Sequence, residues 1–354
     1  MAAVRTGFRN DHTARYTLRP MGKLSLSGFA APLVCLALAV PAFAQTPALI
    51  AVNQGDATAS VISPASARQT ATIAEDVTGV HAHEAAVSPD GRTLYLPVYG
   101  STGVGKPGLD GHEMLVVDLP SRKIIHRVDF GHGVRPHCVI YDRNSGLLYV
   151  TTELDEAVTV IDPKTLQIVA KIPTGQPQSH MLALTHDGKR GYTANVGPGT
   201  VSVLDMVAHK TLAVIPISGE TQRISISPDD SMVFTSDQIK PRLAVIDTTT
   251  NKVKTWVALP GTGYGTASTH DGHWLLVAVP KAGEVAVVNL RTLKVERTIA
   301  VPSAPQEVLV RPDGRVAYVS CNASGKVAAI DLATWKVESL ISAGPGADGL
   351  AWAK

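Results

Sequence analysis

The sequence predicts an all-β protein, a seven-bladed β-propeller of four-stranded blades. Three observations carry this reading. A turn motif recurs about every 42 residues, a second landmark follows it at a constant offset, and no stretch between them has helical periodicity. Of the 354 residues, 45% are hydrophobic, 18% charged and 5% aromatic. That excludes a disordered chain or a coiled coil and leaves ample material for a core.

The chain opens with a segment unlike the rest. Arg5, Arg9, Arg15, Arg19 and Lys23 face a single acid, Asp11, and an apolar run from Leu24 to Val40 ends in Ala42-Phe43-Ala44. A basic region, an apolar region and an A-x-A site describe a secretory signal peptide over residues 1–44. The mature chain then starts at Gln45 and works in the periplasm or outside the cell. Five of the 32 basic residues and one of the 30 acidic residues leave with it, so 27 face 29 and the net charge becomes −2. That balance argues against a nucleic-acid partner. Nothing in the mature chain reads as a transmembrane segment, and a monomer is expected. Cys138 and Cys321 fall in separate repeats and read as free, buried small hydrophobes.

The first landmark is Ser88-Pro89-Asp90-Gly91, repeated as Thr185-His186-Asp187-Gly188, Ser227-Pro228-Asp229-Asp230, Thr269-His270-Asp271-Gly272 and Arg311-Pro312-Asp313-Gly314, with a longer copy from Tyr141 to Gly146. Pro second and Gly fourth suit a type I turn closed by a left-handed residue. The second landmark closes an apolar strand with Asp118, Asp162, Asp205, Asp247, Asn289 or Asp331, and a new strand begins five residues later. That is an Asx turn joining two strands. Six full units run from His83 to Ala347. A seventh combines the C-terminal residues 349–354 with three strands near Leu49–Asn53, Ala59–Ile62 and Gln69–Ile73, so both chain ends share one blade and no sheet edge is left open.

Tyr149-Val150-Thr151-Thr152, Tyr192-Thr193-Ala194-Asn195 and Tyr318-Val319-Ser320-Cys321 vary a Tyr-Val-Thr-Asn signature. With both landmarks, residues 45–354 resemble the YVTN-repeat propellers, including the periplasmic YncE-like proteins. More remote likenesses are to surface-layer repeat proteins, the haem-binding propeller of cytochrome nitrite reductases and the propeller lactonases. The resemblance implies the fold; its motifs are turn and strand residues and imply no single activity.

Repetition separates blade chemistry from site chemistry. The Asp at the end of each third strand is present in nearly every blade and is a cap. His186 and His270 belong to the turns. Seven residues before each turn Asp, at the start of the innermost strand, stand His83, His137, His180, Gln222, Tyr264, Gln306 and, by extension, Asp348. Innermost strands line the central channel, so these seven polar side chains should ring one mouth of it. Arg135 and Arg223 stand beside the ring, and His81, His112, Glu113 and His132 are expected on the same face. An insertion, Gly100–Glu113, joins the second and third strands of blade 1 there.

Three readings of this mouth follow. His83, His137 and His180 could hold a divalent transition metal (Zn, Cu or Fe). The mixed rim could bind a small molecule. The ring could also be only a hydrated opening. The functional expectation is a non-enzymatic propeller binding a small ligand, metal or cell-envelope protein partner. The alternatives are a metal-assisted lactonase or hydrolase and a cell-envelope scaffold. Glu84 is expected on the opposite strand face from His83. Gly103–Gly108 fits G-x-G-x-x-G but contains Pro and opens no helix, so it is a loop. Three of the four tryptophans, Trp256, Trp274 and Trp335, lie within blades and are expected to form no stacking platform.

Overall fold

The computed structural model describes residues 16–17 and 46–354. The leader and its cleavage site lie outside the described residues. Residues 45–354 form one compact unit. In it, seven antiparallel sheets of four strands follow one another around a ring, as the repeat demanded. Blades 1–6 run in chain order from His81 to Ser342. Blade 7 pairs the C-terminal strand Ala347–Ala353 with the first strand Ala48–Asn53, Ala48 opposite Ala353 and Leu49 opposite Trp352. The innermost strand of blade 1 is broken into His81–Ala82 and Ala86–Val87.

The two middle strands of a blade are buried on both faces because each sheet is packed between two others. Leu94–Gly100 and Leu148–Thr152 are buried throughout. Outermost strands face water and alternate, each held down by one buried residue near its end: Val128, Ile172, Ile215, Val257, Ile299, Ile341 and Ile73. Such period-two burial is what a half-exposed strand requires. Apolar clusters fill the seams between blades, as where Tyr149, Tyr192 and Val233 pack in one continuous core.

The turn chemistry follows the sequence. Asp205 Oδ1 accepts from the amides of Val207 at 3.1 Å and Ala208 at 2.8 Å, and Asp247 and Asp331 repeat the pattern. Gly91, Gly188, Gly272 and Gly314 take φ between +69° and +75°, and Asp230 fills the same place at +59°. Cys138 and Cys321 are buried and unbridged. Among the described residues no helix is long and apolar enough to cross a membrane. Trp274 and Trp335 come together in an edge-on pair with ring centroids 5.4 Å apart. Their blades are neighbours, and the seam between blades brings a strand start beside a turn.

Candidate functional site

Six of the seven innermost strands shift register beside the ring position, and that of blade 5 begins only at Thr266, beyond Tyr264. Gln222 and Ile224 face consecutive residues Ser236 and Thr235, and Ser179 and Met181 face Asn195 and Ala194. Pro136 to Val139, Pro305 to Val308 and Ala347 to Leu350 each gain one residue over their partner strand. Such β-bulges leave an extra residue unpaired and re-aim its side chain. Arg223, on one of them, is left-handed at φ +57°. Two consecutive residues can therefore face the channel, and the mouth has two tiers rather than one.

The upper tier is the predicted ring. The structure brings His83, His137 and His180 together: the His83 and His137 rings stand 5.2 Å apart, those of His137 and His180 3.5 Å. His137 is 1% exposed and His180 2%. Tyr99, buried at the end of the second strand of blade 1, lies within 5.8 Å of all three rings. His180 is fully engaged. Its Nδ1 meets the Glu153 carboxylate, whose other oxygen accepts from Tyr99 Oη at 2.9 Å, and its Nε2 lies 3.3 Å from the Gln222 amide. His83 Nε2 and His137 Nδ1, in contrast, are buried and have no hydrogen-bond partner. Burial, reinforced by neighbouring His180 and Arg223, holds both imidazoles well below the ordinary histidine pKa, so they are neutral at pH 7.

The lower tier is the next residue in each repeat: Glu84, Cys138, Met181, Arg223, Gly265, Glu307 and Gly349. Arg223, 2% exposed, crosses the channel from blade 4. It pairs with Glu84 of blade 1, with Glu307 of blade 6 at 2.9 Å and with Asp348 of blade 7 at 2.9 Å. Its guanidinium also covers the Tyr264 ring at 4.9 Å. The expectation for Glu84 is thus corrected: the strand is interrupted between Ala82 and Ala86, alternation lapses, and Glu84 faces the channel like His83. Burial pushes the Glu84 carboxyl up to about 8 and Glu307 up to about 7, Arg223 opposing both shifts. Asp348 is raised for the same reason and accepts from the Gln54 amide. At Gly349 and Gly265 the blades approach so closely that a Cβ would stand 2.7 Å from Glu84 Cα and 2.9 Å from Glu307 Cα. Both glycine amides donate instead to the next blade, Gly349 to His83 O and Gly265 to Gln306 O, each at 2.9 Å.

The Gly100–Glu113 insertion straps the histidine side of the mouth. Arg135, left-handed at φ +50°, donates to Lys106 O at 2.8 Å and Gly103 O at 3.4 Å and pairs with Asp110. A Cβ on Gly105 would stand 3.1 Å from the Gln178 amide of blade 3. The strap therefore runs from blade 1 past blade 2 to blade 3, the three blades that supply imidazoles. Of the other residues expected on this face, His132 pairs with Asp155 at 2.8 Å and Glu113 with Arg127 at 2.6 Å, outside the cluster. Gln306 is half-buried on the far side of the ring.

Among the described residues, no group of three His, Cys, Asp or Glu is set to hold a metal ion. The imidazoles pack as a cluster, with His180 already spent on Glu153 and Gln222, rather than as a cage of three free nitrogens. Tyr99, Glu153 and Glu307 escaped the reading of the sequence, and Glu84 was assigned to the wrong face. Advancing the repeat count by one residue would have shown Glu307 and placed Glu84, since Glu84, Arg223 and Glu307 are the charged members of that second ring.

Packed imidazoles beside a buried arginine tied to carboxyls of three other blades define a propeller with a polar site at its centre. The sequence model of the Cytochrome D1 heme domain family matches residues 142–351, and the chain belongs to that family. No curated protein matches it by sequence. Among solved structures, it is similar to the hydrazine synthase of Kuenenia stuttgartiensis, at 20% identity and a TM-score of 0.68 over 79% of this chain and 91% of that one. It is also similar to the dihydro-heme d1 dehydrogenase NirN in complex with DHE, at 14% identity and a TM-score of 0.61 over 86% of this chain and 74% of that one.

Proposed function

We propose that the protein is a periplasmic, monomeric propeller of the YVTN type that binds a haem-type tetrapyrrole at its histidine mouth. The observation that carries this reading is the pair of orphaned, buried imidazole nitrogens, His83 Nε2 and His137 Nδ1, in a chain of the Cytochrome D1 heme domain family. A neutral imidazole with a free nitrogen is the donor that haem iron takes, so the residues present fit the group. The fit is to an iron carried in a macrocycle, which needs one or two axial donors, and not to a bare ion, which needs three or four.

When bound, haem supplies a redox-active, Lewis-acidic iron; the rest is done by this chain. His83 Nε2 or His137 Nδ1 would hold the iron. Glu153 and Tyr99 fix the ring of His180, so that its Nε2 stays directed at Gln222. Arg223 and its three carboxyls form a buried, paired cluster beneath the imidazoles. Arg135 holds the strap and shields the site from water.

Hemin titration of the purified full chain, followed by Soret absorption, tests this. A saturable one-to-one red shift that is lost in the double variant His83→Ala/His137→Ala supports it, circular dichroism confirming that the variant folds. An unshifted spectrum in the wild type, or an unchanged titration in the folded variant, overturns it.

A further inference from the structure

On the opposite face, in the seam between blades 5 and 6, a groove of about 740 Å³ is lined by Trp274, Trp335, Asp313, Arg315 and Asp331. The repeat shows how unusual its floor is. Trp274 begins the second strand of blade 5, where the other blades carry Thr93, Leu148, Arg190, Met232, Val316 and Ala48. Trp335 ends the turn after the third strand of blade 6, where they carry Arg122, Leu166, His209, Asn251, Leu293 and Ala67. That turn position is left-handed in every blade, +59° at Trp335 and +54° at Asn251. Asn tolerates this conformation, and a bulky indole is strained in it. No other blade carries an indole at either position, and although both rings pack partly against the core of their seam, each also lines the groove.

The two rings meet edge to face, and the Arg297 guanidinium lies 5.7 Å from one ring centroid and 5.2 Å from the other, fixing the pair. Above the indoles stand planar polar groups. Asp331 spends Oδ1 on the amides of Ala333 and Thr334, and Asp313 spends Oδ1 on Arg311 and Arg315; the second oxygen of each has no hydrogen-bond partner among the described residues. Arg315 adds a guanidinium to the same wall.

From these we infer that the Trp274–Trp335 groove is a carbohydrate-binding site for a short neutral pyranose chain. A pyranose presents a patch of C–H bonds on one face and hydroxyls around its rim. Indole faces receive the first, and carboxylate and guanidinium forks receive the second. The volume lies in the range that encloses a small ligand. Nucleic-acid bases also stack on indoles, but their phosphates would meet Asp271, Asp313 and Asp331, a local repulsion that neutral sugars escape.

The test is calorimetric titration of the full chain with chitotriose, cellotriose and maltotriose, each to about 10 mM, the weak-binding limit, and with a single-stranded oligothymidylate. Trp335→Asn and Trp274→Met copy the blade 4 residues Asn251 and Met232, so both variants should fold. Binding of at least one trisaccharide, weakened roughly tenfold or more by each substitution and unchanged in His83→Ala, supports the site. Failure of all three sugars to bind, sugar binding that survives both substitutions, or capture of the oligonucleotide in their place overturns it.

Discussion

Arg223→Met removes the one guanidinium that ties blade 4 to blades 1, 6 and 7 across the channel. Deleting one partner of a buried ion pair costs about 3–5 kcal/mol, because the other charge stays buried. Here three carboxyls are left, and what they do depends on pH. In the wild type, Glu84 titrates near 8 and Glu307 near 7, against 4.5 for a free glutamate. The folded state therefore holds more protons than the unfolded chain between about pH 4.5 and 8, and their contribution to stability falls as pH rises through that window. Without Arg223, whose charge lowers both values, the window extends upward and the total fall grows. At pH 8 the variant should lose roughly 6–10 °C in Tm, taking about 2 °C per kcal/mol for a domain of this size. At pH 5.5 Glu84 and Glu307 are protonated in both proteins and the loss should be less than half as large. Differential scanning calorimetry at the two pH values measures it. Equal losses at both pH values, or a larger loss at pH 5.5, would refute the placement of Arg223 as the counter-charge of buried acids.

Other expectations can be checked alongside it. Gly265→Ala drives a Cβ into the backbone of blade 6 and should destabilise by about 1–3 kcal/mol in urea unfolding, whereas Gly103→Ala, with open space around it, should be silent. Arg135→Ala frees the strap. Losing a charge-assisted hydrogen bond worth about 1.5–3 kcal/mol should raise amide hydrogen exchange over residues 103–109 roughly tenfold or more and speed hemin association in stopped flow. Removing residues 347–354 takes away the partner of the first strand, leaves blade 7 with open edges, and should yield aggregate rather than monomer in sedimentation.

The fold was legible because a propeller writes its geometry into every repeat. The turn aspartates, the left-handed glycines and the single buried residue of each outer strand recur, and repetition averages away local ambiguity. Ring closure through blade 7 was legible too, from partial repeats at the two ends. The upper ring could be counted from spacing alone, since His83, His137 and His180 hold one repeat position. The lower ring was lost to a rule that is right for regular strands: alternation sends Glu84 away from His83, but the break between Ala82 and Ala86 suspends it. Trp274 and Trp335 were missed for another reason. They are far apart in the repeat and meet only across a seam between blades, which no periodicity within one blade reveals. The pairing of His180 with Glu153 and Tyr99 likewise joins three blades, and only coordinates bring it together.

The most direct measurement is anomalous diffraction at the iron edge from crystals of the protein soaked with hemin. The account predicts one iron peak at the histidine mouth, at bonding distance from His83 Nε2 or His137 Nδ1. An iron peak elsewhere on the propeller, or none in crystals that have taken up the pigment, would contradict it.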